Sequence, residues 1–323
     1  MKSYVMGIDF GSTTAKTVIL DLKGRVVSSS VAHMGAVSGD GVKASISNAL
    51  EQAGITQEDV GRTVSTGYGR RMLDIADKNF TEITCHARGA VAMVPDARLV
   101  IDIGGQDSKV IAVDSNGLVA QFAMNDRCAA GTGKFLEVLA RAMEIDLEKM
   151  GGVALEAKEE LKISSMCATF AETEVISLLA EGNTKPNVLG AVHAAIASRT
   201  LGLVGRVGKK GPVVMTGGVA KNQAAVHYIE KALGMPLILP ETPQIAGALG
   251  AALIALDDYR SEHKDELAAM EEDDRLEAQM EFDKSCVPGC KGVPELALTE
   301  QEKAAGPAKG KVRTIWEAVQ NNL

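Results

Sequence analysis

Tyr4-Val-Met-Gly-Ile-Asp-Phe-Gly-Ser-Thr-Thr-Ala-Lys16 reads as a strand, a glycine-bearing turn and the start of a second strand that runs on through Thr17-Val-Ile-Leu-Asp21. Gly24-Arg-Val-Val-Ser28 continues as a third. Gly11 therefore falls in a hairpin and not at the start of a helix. That excludes two other phosphate motifs: a Walker loop needs Gly-x4-Gly-Lys-Ser/Thr before a helix, and a dinucleotide fold needs Gly-x-Gly-x-x-Gly in a strand-to-helix turn. In a hairpin the backbone N–H groups of Gly11, Ser12 and Thr13 can point at an anion, because glycine tolerates the required dihedrals and leaves room for phosphate oxygens. Thr14 and Lys16 follow on the second strand.

Asp102-Ile-Gly-Gly-Gln-Asp-Ser-Lys109 repeats the pattern about a hundred residues later, after the strand Arg98-Leu-Val-Ile-Asp-Ile103 and before Val110-Ile-Ala-Val-Asp114. Gly104 and Gly105 bend the chain there, so two such hairpins can grip one polyphosphate from opposite sides. Asp9 and Asp102 stand at the two strand ends, where carboxylates beside a polyphosphate suit a hydrated Mg2+. A third element, Val213-Val-Met-Thr-Gly-Gly-Val-Ala-Lys-Asn222, places Gly217, Gly218, Val219 and Asn222 between a buried strand and a helix, a spot where backbone packs flat against a nucleoside.

These segments, with Asn125-Asp-Arg-Cys-Ala-Ala-Gly-Thr-Gly-Lys-Phe-Leu-Glu137 and Cys167-Ala-Thr-Phe-Ala-Glu-Thr-Glu174, resemble the superfamily of acetate and sugar kinases, heat-shock chaperone ATPases and actin. Within it, they resemble the activator ATPases of 2-hydroxyacyl-CoA dehydratases and benzoyl-CoA reductases, over roughly residues 3 to 255; the cysteine-bearing segments select that branch. The resemblance implies an α/β, two-lobed actin-like ATPase with duplicated ribonuclease H-like lobes and a C-terminal extension. It also implies a homodimer, or a closely related heterodimer, holding one 4Fe-4S cluster at its interface by two cysteines from each subunit. ATP/ADP and Mg2+ are the further cofactors implied, and one electron would pass at low potential to a dehydratase, a benzoyl-CoA reductase or a related double-cubane-cluster protein. Ferredoxin or flavodoxin is the expected donor.

The residues agree with that arrangement without requiring it. A cubane wants four thiolates, and the five cysteines show no Cys-x2-Cys-x2-Cys run. A twofold axis would bring Cys128 and Cys167 of both subunits together, with helix N-termini favouring the thiolate charge; the alternative is two ordinary buried thiols. γ-Phosphate hydrolysis needs an oriented water, a metal and charge stabilisation. Gln106 and Asp107 are the candidates to orient that water, and the resemblance favours Gln106. Lys16 and Lys109 read either as phosphate neutralisers or as solvated strand-end lysines, and His193 as a packed or exposed histidine and not a ligand. A small-molecule kinase of the same fold, or a non-catalytic ATP sensor or scaffold, are the alternative functions.

Lysine and arginine number 34 against 42 aspartates and glutamates, a net charge of −8, which disfavours nucleic-acid binding. Met1-Lys2-Ser3 leads straight into a strand without a signal peptide, and the sequence is read as having no apolar stretch long enough to span a bilayer, so the cytoplasm and no membrane partner are expected. The lobes are expected at 1–92 and 93–256. The first includes a helix from Gly41 to Ala53 with Val42, Ile46, Ala49, Leu50 and Ala53 at helical spacing, and the second includes helices at Gly190–Val207 and Gln244–Leu256. Gly247 and Gly250 in the last are read as allowing close packing on a sheet. A charged extension, 257–323, carries Cys286 and Cys290, read as reduced thiols on a turn or a zinc or second-cluster pair, and the one tryptophan, Trp316, read as a docking point.

Overall fold

The computed structural model describes residues 2–35, 39–126, 129–163 and 168–268. Cys128, Cys167, Cys286, Cys290 and Trp316 lie outside the described residues. Two compact units divide the chain, Met1–Leu256 and Asp257–Leu323. The described part of the second consists of helix, interrupted by a turn, up to residue 268.

The first unit holds two five-stranded sheets built on one plan. β1 (Tyr4–Phe10), β2 (Thr14–Asp21), β3 (Val26–His33), β4 (Val60–Thr66) and β5 (Lys78–Asn79) are ordered β3-β2-β1-β4-β5. β6 (Leu99–Ile103), β7 (Ser108–Val113), β8 (Val119–Asn125), β9 (Val213–Thr216) and β10 (Leu237–Ile238) are ordered β10-β9-β6-β7-β8. In each sheet the first three strands are antiparallel and the last two run parallel to the first. The expected duplicated α/β architecture is present, and both glycine-bearing loops are hairpins joining an antiparallel pair. The central strands are buried on both faces, as the continuous apolar runs of β1, β6 and β7 require, while β8 leaves one edge largely exposed.

The helices are α1 (Asp40–Ala53), α2 (Glu82–Met93), α3 (Gly133–Ala142), α4 (Leu147–Leu155), α5 (Ala168–Ala180), α6 (Lys185–Val207), α7 (Gln223–Leu233) and α8 (Ala246–Glu262). α1 covers the first sheet and ends at Gly54, which takes the left-handed conformation at φ +65 and returns its N–H to Leu50 and Glu51 carbonyls. The Thr81 hydroxyl caps α2 by accepting from Thr84 N–H. α6 starts five residues before the expected Gly190. Thr184 caps it and Pro186 lies in its first turn, where a missing N–H costs no helical hydrogen bond.

Contrary to the sequence reading, α6 is long and apolar enough by length and composition to cross a bilayer; most of it is buried inside the second-sheet core. Its small exposed residues, Ala194, Ser198, Gly202 and Gly205, recur at helical spacing and form one face, and most of the remainder packs into the core.

α2 lays Ala87 and Ala90 on Val100, Ile111, Val113 and Val214 of the second sheet. It crosses α8 at backbone contact. A Cβ on Gly89 would sit 1.9 Å from the Ala246 carbonyl oxygen, and one on Gly250 would sit 1.8 Å from that of Cys85. Gly250 thus makes its close approach to a helix, where a sheet contact was expected. The approach to the first sheet is provided by the strand instead: a Cβ on Gly7 would lie 2.1 Å from Ala248 O. Gly250→Ala is expected to destabilise the fold by at least about 2 kcal/mol through overpacking. Gly202→Ala, at an exposed α6 position with nothing nearby, should be neutral or stabilising by up to about 1 kcal/mol. Denaturant unfolding of both variants measures the difference, and equal midpoints would contradict the crossing geometry.

Candidate functional site

The two hairpin loops meet. A Cβ on Gly105 would lie 2.1 Å from Thr13 Oγ1, so any other residue there would drive the loops apart. The second loop is pinned from behind by the start of α3: Gly133 N–H donates to Gly104 O at 2.9 Å and Lys134 N–H to Gly105 O at 2.7 Å. In a trans peptide the N–H points opposite the carbonyl, so the Gly105 and Gln106 amides are turned away from α3. The third loop turns at Gly217, with φ +86, where a Cβ would meet Ile103 O at 2.3 Å. The first sheet has its counterpart after β4. Gly67 has φ +91, and a Cβ there would meet Phe10 O at 2.4 Å.

Together these loops wall a cavity of about 820 Å³, within the range of small-molecule sites. Asp9, Gly11, Ser12, Thr13, Thr14 and Lys16 line it from the first hairpin, and Asp102, Gly104, Gly105, Asp107 and Lys109 from the second. Gly217, Gly218, Val219 and Asn222 line it from the third loop. Gln106 is exposed and is not among the lining residues. His193 is fully buried in α6 with Nδ1 2.7 Å from Leu189 O, outside the cavity. Glu82 and His86 of α2, Leu136 and Glu137 of α3 and much of α4 also line the cavity, and motif reading did not single them out. Their one advance signal is spacing: Glu82 and His86 are four residues apart, hence on one helix face.

Beneath the loops lies a buried network of charge. Lys16 Nζ is 3.0 Å from Asp9 Oδ2. Asp102 accepts from Thr216 Oγ1 at 2.8 Å, and its Oδ1 is also 3.2 Å from His86 Nδ1, a close charge pairing and not an aligned hydrogen bond. Lys109, 3% exposed, faces Glu82 at 3.0 Å, Asp102 at 3.5 Å and Asp107 at 2.5 Å, while Tyr68 OH donates to Asp107 at 3.3 Å. Lys109 is therefore no solvated strand-end lysine: its side chain points inward from a strand buried on both faces.

Burial alone would raise the Asp102 carboxyl, but His86 and Lys109 outweigh it and hold Asp102 well below the usual carboxylate range. Lys109 is likewise pushed well above the usual ammonium value against its burial, by Asp102, Asp107 and Glu82. For Glu82 burial wins over Lys109 and the carboxyl is raised. His86 is raised, the burial penalty being overcome by Asp102. Among the described residues, no group of three or more His, Cys, Asp and Glu side chains forms a metal-binding cluster. Asp102 has its oxygens engaged by protein partners, which leaves it suited to a cation's water shell more than to direct ligation.

The family described as the BadF/BadG/BcrA/BcrD ATPase family matches residues 6–255. The activator of lactoyl-CoA dehydratase from Anaerotignum propionicum is 46% identical over 254 residues, covering 79% of this chain and 98% of that protein. The crystal structure of the Acidaminococcus fermentans (R)-2-hydroxyglutaryl-CoA dehydratase component A is similar with a TM-score of 0.77 at 44% identity, covering 80% of this chain and 99% of that one. The activator of the 2-hydroxyisocaproyl-CoA dehydratase from Clostridium difficile with bound ADPNP also gives a TM-score of 0.77, at 41% identity, covering 81% and 97%.

Removing the ammonium tests the charge network directly. Lys109→Met leaves three carboxylates facing one another and is expected to cost about 3–5 kcal/mol at neutral pH. The folded-state carboxyl of Asp102 is depressed, so its stabilising contribution is present at neutral pH and drains away as pH falls below about 4. The gap between wild type and Lys109→Met should accordingly narrow on acidification, Glu82 taking up its proton first. Unfolding curves between pH 3 and pH 7, chosen to bracket roughly the carboxylate range, check both points.

Proposed function

The chain belongs to the BadF/BadG/BcrA/BcrD ATPase family, and from that premise we propose that it is an ATP-dependent activator that passes one electron at low potential to a cluster-containing dehydratase or reductase. The observation that carries the reading is the single cavity in which both hairpin loops and the Gly217–Gly218 loop converge. Glycine at 11, 104, 105 and 217 lets the loops turn and approach one another where a Cβ would collide, and their backbone amides suit phosphate oxygens. ATP/ADP would lie with its phosphates between Gly11, Ser12, Thr13, Thr14, Lys16 and Gly104, Gly105, Asp107, and its nucleoside toward Gly217, Gly218, Val219 and Asn222. Mg2+ would be held through water by Asp9 and Asp102. Gln106, exposed on the second hairpin loop, is our candidate to align the attacking water.

The lobes are proposed as 1–92 and 93–256, with 257–323 an extension. Cys128 and Cys167 of two identical chains would supply the four thiolates of one 4Fe-4S cluster, a donor set suited to iron. The bound cluster would supply the one-electron chemistry. The chain's own contribution is to hold the triphosphate between two sheets, so that nucleotide state biases their arrangement and, through the segments carrying Cys128 and Cys167, the dimer interface. A ferredoxin or flavodoxin would be the donor and the cytoplasm the location. Relatives named as dehydratase activators support the choice of acceptor class.

Anaerobic iron and sulfide analysis with native mass tests the proposal. We expect a dimer with about four irons. Cys128→Ala or Cys167→Ala should each lose that iron while still binding ATP, and Cys286→Ala or Cys290→Ala should keep it. Full iron in the Cys128→Ala variant, or an iron-free monomer that phosphorylates a small molecule, would overturn the assignment, the latter in favour of a kinase.

A further inference from the structure

Asp9 is on the first sheet and Asp102 on the second, both nearly out of water. Each has its own lysine: Lys16 pairs with Asp9, and Lys109 pairs with Asp102, Asp107 and Glu82. His86 faces both. Its Nδ1 is 3.2 Å from Asp102 Oδ1, and its Nε2 converges with Asp9 Oδ2 on one point beside α8. A Cβ added at Gly247 would lie 2.9 Å from that nitrogen and 3.1 Å from that oxygen. Glycine at 247 is what lets the imidazole reach between the sheets, since any side chain would occupy this space. The ring is carried by α2, which is fastened to the second sheet through Ala87 and Ala90 and to α8 at Gly89. It therefore stands on a rigid support.

We propose that His86 is a positioning residue that sets the distance between Asp9 and Asp102, and hence between the two loops that grip the triphosphate. The Asp9–Lys16 and Asp102–Lys109 pairs are each closed within their own sheet, so neither fixes its distance from the other, whereas His86 lies beside both carboxylates. A planar ring with nitrogens at both ends is a spacer of fixed length, which a flexible lysine is not. Loop spacing decides how the γ-phosphate, its metal and the attacking water line up. An error of about 1 Å there costs on the order of a hundredfold in rate, whereas the many other contacts around the nucleotide keep its affinity. The inference rests on the ATPase reading of this cavity.

Steady-state ATP hydrolysis by the full chain, prepared anaerobically with Mg2+, separates the outcomes. His86→Ala should lower kcat by about 10- to 100-fold while KM for ATP moves less than about threefold. His86→Asn, which keeps a planar polar group beside Asp102, should recover at least about fivefold of that loss. His86→Leu, which restores bulk alone, should not. An unchanged kcat in His86→Ala, a rise in KM with kcat retained, or a His86→Leu protein as active as His86→Asn would overturn the proposal. Should His86→Ala fail to fold, the Asn and Leu variants decide it by the same comparison. Wild-type protein that releases no phosphate from ATP would instead sink the ATPase reading itself.

Discussion

An ammonium group withdrawn from water is tolerable only where carboxylates surround it, and Lys109 imposes that condition on the centre of this molecule. Its three partners come from three places: the β6 end, the hairpin tip and the first turn of α2. Their convergence fixes the second hairpin relative to the helix that follows the first sheet. Tyr68, on the loop after β4, adds a fourth tie through Asp107. The cavity-lining second loop is thus held from below by charge and from behind by the amides of α3. Both ties hold it in place before any ligand arrives, which is the condition for tight gripping at low entropic cost.

Close helix packing serves the same end. Gly89 and Gly250 let α2 and α8 touch backbone to backbone, and Gly7 lets β1 rest on α8. Because interiors are close-packed, such contacts admit discrete arrangements in preference to continuous bending.

The hairpins were legible because their signal is local: alternating apolar residues, a glycine turn, then another strand. The third loop was legible for the same reason, and its residues join the other two in one cavity. What α2 contributes was not legible, since Glu82 and His86 acquire meaning only once the chain brings them against β6 and β7. The wall supplied by α4 was missed likewise, its Leu147, Gly151 and Val153 looking like any amphipathic helix. For Lys109 a solvated strand-end lysine stayed as one of two readings because strand alternation does not reveal that both faces are covered. Gly250 was assigned to a sheet contact because a small residue announces a close neighbour without saying which. The start of α6 was placed late although Thr184 and Pro186 mark it, a case where the first-turn tolerance of proline outweighs its reputation as a breaker.

The near-repeat of the two sheets extends to the loops after β4 and β9, where Gly67 and Gly217 take up matching conformations against Phe10 and Ile103. The likeness stops one residue later. Tyr68 puts a phenol into one end of the cleft, and Gly218 puts nothing into the other. The two halves of the cleft therefore differ in lining although their turns match: one presents a phenol bound to Asp107, the other bare backbone.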